Sequence, residues 1–162
     1  MSSHGGFIGV LIALLWTVRK HRWDLFVLAD LITVPVAIGL ALGRLGNFIN
    51  QELYGPVTTL PWGIAIPGVE GLRHPTQIYA MIKDLFIASV CFWHLRYAQK
   101  KGQTMALFLI LYGLLRFLIE YVRIQEYGWI HIGFIALSRG QLLTIPIFLF
   151  GMGLLWKSRE KK

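Results

Sequence analysis

A chain of 162 residues that is 56% hydrophobic and only 15% charged has more apolar surface than one small water-soluble domain can bury, which excludes a soluble globular class and makes a bilayer its solvent. The net charge of +8 would by itself suggest nucleic acid, but the basic side chains fall in short clusters between apolar stretches, so they read as topology signals and no nucleic-acid partner is expected. A single cysteine, Cys91, inside an apolar stretch excludes an internal disulfide framework and a thiolate metal centre, and five scattered histidines without ligand spacing leave no metal or cofactor to expect.

In chain order, apolar runs of span-like character occur at Phe7 to Val18, Leu25 to Leu45, Gln77 to Leu95, Met105 to Tyr121 and Leu142 to Trp156. They predict an all-α polytopic membrane protein, a single membrane domain over residues 1–162 with about five transmembrane helices, the first of them short. Arg19, Lys20 and Arg22 separate the first two runs, Arg96, Lys100 and Lys101 the third and fourth, and Lys157, Arg159, Lys161 and Lys162 follow the last. Cytoplasmic connections are enriched in Lys and Arg, so these connections and the C-terminus are expected in the cytoplasm. The N-terminus and the loops at 46–76 and 123–139 then face outward. Trp16, Trp23, Trp62, Trp129 and Trp156 lie at or near segment ends, where amphipathic rings meet the interface. The stretch from Asn47 to Thr76 is rich in Gly and Pro and reads as an outer loop or small cap. The opening Met1 to Gly6 carries no Lys or Arg and the basic cluster follows the apolar run, the reverse of a secretory signal peptide, so an upstream segment is expected.

Ionisable and amide groups inside such spans are expensive in hydrocarbon and mark cavities or partners. His4-Gly5-Gly6 puts an imidazole at the mouth of the first helix, equally readable as an exposed terminal histidine. In Gly43 to Gly55, Arg44 and Asn47 are one turn apart, so a guanidinium and a carboxamide can meet one ligand. The arginine fork suits a phosphate diester. Glu52 steers Arg44 or caps a loop, while Gly39, Gly43 and Gly46 form a small-residue stripe expected to mark close helix packing. His74-Pro75-Thr76-Gln77 with Tyr79 places polar groups at a helix start, where capping is the plainer reading. Lys83 and Asp84, deeper in the same run, read as a packing ion pair or as part of a lipid-headgroup path, the pair being the plainer reading. Spacings of four, four and three line Tyr112, Arg116, Glu120 and Arg123 along one helix face, and a bridge there yields little net stability once desolvation is counted, which favours a function. Asp30 is a lone carboxylate whose partner the sequence leaves open.

Together these motifs resemble the bacterial prolipoprotein diacylglyceryl transferases. HGG at His4, GRLGNFINQELYG from Gly43 to Gly55, HPTQIY from His74 to Tyr79, YGLLRFLIEYVR from Tyr112 to Arg123 and Gly140-Gln141 follow in family order. The resemblance implies an inner-membrane enzyme of about seven helices, against about five here, with its cavity toward the periplasm. The family moves the diacylglyceryl group of phosphatidylglycerol onto the thiol of a prolipoprotein's lipobox cysteine and releases glycerol phosphate. Phosphatidylglycerol, lipobox peptides and the bilayer are then the expected partners, with no cofactor. By the same resemblance Arg44 and Arg116 hold the phosphate, Asn47, Glu52, Tyr112 and Glu120 shape the headgroup site, His74, Gln77 and Arg123 complete the substrate-binding set, and His4 is a candidate base for the thiol. His4, Arg44, Arg116 and Glu120 are the expected catalytic residues. The family carries roughly two further spans upstream, so the chain reads as lacking the N-terminal part. Ala80 stands where the family commonly has glutamate, and Gln51 where it has glycine. A transporter, whose paths are also marked by buried charge, and a non-catalytic membrane fragment with a structural polar stripe are the alternatives.

Overall fold

The computed structural model describes residues 4–98, 100–124, 130–132 and 135–160, without the side chains of residues 4–8, 10–11, 131–132, 135 and 159–160. The helices are α1 (His4–His21), α2 (Leu25–Ile49), α3 (Thr76–Tyr97), α4 (Gln103–Ile119), which runs on as a 3-10 turn over Glu120–Val122, and α5 (Arg139–Glu160). Four of them, α2 to α5, are long and apolar enough to cross a bilayer. The fifth expected span, α1, has 18 residues, about 27 Å against a hydrocarbon core of ~30 Å. The chain is an all-α polytopic membrane protein. Leu42, Phe92, Leu118 and Leu149 are each more than half exposed on the helix surfaces, as suits side chains covered by lipid tails rather than by protein.

Caps explain where the helices begin. Asp24 precedes α2 and its Oδ1 accepts from the backbone N–H of Phe26 at 2.9 Å and of Val27 at 3.4 Å. Lys101 donates to the other oxygen of Asp24 at 2.9 Å, and this bond chiefly holds the exposed carboxyl below its ordinary range. Asp30, whose partner was open, is buried and accepts from the backbone N–H of Gly102 at 2.6 Å and Met105 at 2.8 Å. It caps α4 from another helix rather than pairing with a basic side chain. At α5, Ser138 Oγ accepts from Gln141 N at 3.1 Å while Gln141 Oε1 accepts from Ser138 N at 2.9 Å, a reciprocal capping box.

The bundle core is Ala37, Ile87, Ala88 and Cys91, enclosed by Val34, Phe108, Leu111, Tyr112 and Leu115. Packing is densest between α2 and α3 and between α4 and α5. The second pair approaches through glycine, since a Cβ on Gly113 would lie 3.1 Å from the backbone nitrogen of Phe148 and one on Gly151 3.0 Å from that of Ile110. The stripe expected to serve this purpose does not: a Cβ on Gly39, Gly43 or Gly46 would meet nothing within 4 Å. That face of α2 packs against no other described element there, so the small residues bring nothing close.

The connection from α2 to α3 is a small cap. An antiparallel ribbon pairs β1 (Ile64–Ala65) with β2 (Leu72–Arg73), Ile64 opposite Arg73 and Ala65 opposite Leu72. Gly55 N donates to His74 O at 2.8 Å and His74 N to Pro56 O at 3.0 Å, tying the ribbon to the start of α3. A second ribbon, β3 (Ile130–Ile132) with β4 (Ile135–Leu137), stands before α5. Trp16, Trp23, Trp62 and Trp156 are more than half exposed at segment ends, and Trp129 lies outside the described residues.

Candidate functional site

Where α2 and α4 end and α3 begins, a narrow cavity is walled by Arg44, Leu53, Thr76, Gln77, Ala80, Lys83, Arg116, Ile119 and Arg123. Four of these groups are cations, drawn from α2, α3, α4 and the residue after the 3-10 turn. The open space is about 10 Å³, roughly room for one water, so the long arginine and lysine side chains must part to admit anything larger.

The cations differ in their counter-ions. Lys83 is buried and ion-paired with its neighbour Asp84, with its ammonium 4.2 Å from the centre of the Tyr112 ring. Arg116 is ion-paired with Glu120 one turn on, and Arg123 lies 3.8 Å from the same carboxylate. The helical spacing of this polar stripe therefore holds, although α4 ends at Ile119 and the 3-10 turn carries Glu120. Arg44 makes an ion pair with no described carboxylate. A guanidinium on a cavity wall with no ion pair among the described residues has the chemistry to receive a mobile anion.

Gln77 adds a polar group of opposite demand. It is only 2% exposed; its Nε2 donates to the Glu52 carbonyl at 2.6 Å, and its buried Oε1 accepts no hydrogen bond from the described residues. Thr76 Oγ1 donates to Leu53 O at 2.8 Å, so the HPTQ motif ties α3 to the loop after α2 while leaving a vacant acceptor at the cavity.

Of the residues singled out from sequence, Arg44, Gln77, Arg116 and Arg123 share this wall, and Glu120 reaches it through its two arginines. Asn47, Glu52, His74 and Tyr112 do not line it. Glu52 is exposed and contributes its main-chain carbonyl rather than a steering carboxylate. His74 Nδ1 lies 3.1 Å from the Tyr79 hydroxyl, which also accepts from Trp62 Nε1 at 2.8 Å. Tyr112 supports Lys83 from beneath. His4 opens α1, and its side chain lies outside the described residues.

Two residues named in the sequence take on a further part here. Lys83, for which an ion pair and a headgroup path were both open, makes the pair with Asp84 and also stands on the cavity wall. Gly140 lies directly against the Glu120 carboxylate, which would have to shift to make room for a Cβ there. Beside the charged cavity an apolar groove of about 420 Å³ runs between α3 and α4, walled by Tyr79, Ile82, Phe86, Leu115 and Leu118, and it shares Lys83 and Ile119 with the cavity.

Residues 1–157 match the family model described as prolipoprotein diacylglyceryl transferase. The chain is 43% identical to the phosphatidylglycerol–prolipoprotein diacylglyceryl transferase of Polynucleobacter necessarius, over 99% of this chain and 63% of that protein. It is 44% identical to the protein of the same name from Wolbachia pipientis, over 94% of this chain and 60% of the relative, and 43% identical to that of Chromohalobacter salexigens, over 99% and 61%. The chain thus spans about 60% of the length of the curated relatives it matches.

Proposed function

The chain belongs to the prolipoprotein diacylglyceryl transferase family, and on that premise we propose that its arginine cavity holds the phosphate of phosphatidylglycerol while the diacylglyceryl group passes to the thiol of a prolipoprotein's lipobox cysteine. The observation that carries this reading is Arg44, a guanidinium without a carboxylate partner among the described residues, on the same wall as Arg116. The neighbouring apolar groove suits acyl chains, and the vacant Gln77 oxygen suits a headgroup hydroxyl.

The chemistry follows from where charge develops. The thiolate sulfur attacks the glyceryl carbon that bears the phosphate; the C–S bond forms and the C–O bond to phosphate breaks, with its electron pair leaving on oxygen. A diester with one negative charge becomes a monoester with two. Guanidiniums fixed around that oxygen bind the product-like charge more strongly than the ground state, which lowers the barrier rather than merely binding lipid. Lys83, held by Asp84, adds to the field, and Glu120 orients Arg116 and Arg123. The thiol proton goes to a base, for which His4 is the candidate.

By the positive-inside rule the basic connections and the C-terminus lie in the cytoplasm of a bacterial inner membrane, so the cavity, at the other end of α2, opens toward the periplasm. The 1–162 chain then forms one membrane domain. The relatives carry the name of a transferase, and the transporter alternative gains no support from them.

The test is a transfer assay in phosphatidylglycerol membranes with a lipobox peptide, read as diacylglyceryl mass on the peptide thiol, comparing this chain with one extended upstream to the relatives' length. Product from either chain, lost on Arg44→Gln, supports the reading. Absence of product from both overturns it.

A further inference from the structure

On the wall of the arginine cavity the polar side chains are mostly donors. Arg44, Lys83, Arg116 and Arg123 present only N–H groups, and Thr76 commits its hydroxyl hydrogen to the Leu53 carbonyl. A phosphate, which only accepts, satisfies such groups. Gln77 breaks the pattern, because what it leaves vacant is an acceptor: its buried Oε1 takes no hydrogen bond from the described residues.

Which end of this amide is left over follows from its partner. The group 2.6 Å away is the main-chain carbonyl of Glu52, which can only accept, so the amide nitrogen must point there and the oxygen remains. The amide is also held in that sense. Gln77 is buried in the first turn of α3, Thr76 ties the same turn to Leu53 at 2.8 Å, and turning the amide over would set its oxygen against the Glu52 carbonyl. Tying α3 to the loop needs only the nitrogen. A buried oxygen without a donor is unfavourable, and a site that presents one rejects a ligand unable to supply the hydrogen.

The missing donor belongs on a molecule that also brings an anion to Arg44, which stands on the same wall without an ion pair among the described residues. Phosphodiester headgroups carry a donor either as a further hydroxyl or as an ammonium group. In a cavity with only about 10 Å³ of open space, an ammonium would be crowded against Arg44 and repelled. A hydroxyl donates without adding charge.

We propose that Gln77 is a specificity-determining residue of this site: its Oε1 accepts from a hydroxyl of the headgroup alcohol, so the cavity selects phosphodiesters of polyols over those of plain or amino alcohols. The inference rests on the phosphatidylglycerol reading of the cavity and adds which residue reads the glycerol. The guanidiniums hold any phosphodiester, and the amide oxygen distinguishes what is esterified to it.

The experiment is native mass spectrometry of the full chain in detergent, titrated with three lipids of the same acyl chains. These are phosphatidylglycerol, phosphatidylpropanol, which keeps the charge and carbon skeleton of the headgroup but has no hydroxyl on it, and phosphatidylethanolamine. Phosphatidylglycerol should be retained at least roughly tenfold better than either of the others. The preference over phosphatidylpropanol should vanish in Gln77→Met and Gln77→Ala and persist in Thr76→Val. Each preference is a ratio within one variant, so loss of folded protein cancels, and Thr76→Val breaks the companion tie to the loop while leaving the amide oxygen in place. Indifference of the unaltered chain to the headgroup, a preference that survives in either Gln77 variant, or one lost equally in Thr76→Val would overturn the proposal alone. Failure of Arg44→Gln to weaken retention of phosphatidylglycerol would instead overturn the phosphatidylglycerol reading of the cavity, and the proposal with it.

Discussion

Arg44 and Arg116 stand on one cavity wall but differ in what else depends on them. Arg116 is the counter-ion of a buried carboxylate, so Arg116→Gln removes cavity charge and also weakens the neutralisation of Glu120. It is expected to lower both the transfer rate and the melting temperature of the detergent-solubilised protein. Arg44→Gln strands no described carboxylate; it should cut transfer by about 10²-fold or more while changing stability by less than ~0.5 kcal/mol. Parallel rate and thermal-unfolding measurements decide this, and an Arg44 variant that unfolds as readily as the Arg116 variant would make Arg44 a structural group. Gly140→Ala probes the same carboxylate from α5. The added methyl must displace Glu120, which should cost about 1–3 kcal/mol and disturb Arg116. Unchanged stability and transfer in that variant would show that Glu120 is not held against Gly140.

At the scale of elements, α2 is tied to the start of α4 by a side chain that caps it as well as by the Lys101–Asp24 ion pair. Asp30 satisfies two N–H groups at the start of α4 from 72 and 75 residues away in sequence. Asp30→Ala is expected to destabilise the protein by about 1–2 kcal/mol and to speed amide exchange at Met105 selectively. Unaltered exchange there would contradict the capping role. Long apolar runs made the four spanning helices legible in the sequence because lipid demands continuous hydrophobicity. Boundaries were less legible: α2 passes Leu45 to Ile49 because helix geometry tolerates the polar Asn47, and Asn50 N still bonds to Gly46 O at 2.9 Å. The role of Asp30 was invisible because its partners are backbone amides, which every residue has. Strands as short as β1 and β2 carry no alternation to read, and the glycines of α2 looked like a packing stripe although the close approach is made by Gly113 and Gly151.

For the whole molecule, the architecture is a bundle with a charged cavity at one end and the basic connections at the other, separated by an apolar core. Arg44, Gln77, Arg116 and Arg123 were legible as candidate site residues because intramembrane polar groups need a reason to exist, and the fold brings these four to one wall. Asn47, Glu52, His74 and Tyr112 carry the same motifs but build the surroundings, through main-chain bonds, a ring hydroxyl and support beneath Lys83. Motif membership alone does not distinguish a wall residue from its scaffold. The central claim is that two guanidiniums from separate helices meet one lipid phosphate. A double-mutant cycle of Arg44→Gln and Arg116→Gln on phosphatidylglycerol affinity, measured in nanodiscs, tests it most directly. Two groups sharing one phosphate should show a coupling of about 1 kcal/mol or more, whereas additivity within ~0.5 kcal/mol would mean that they serve different ligands.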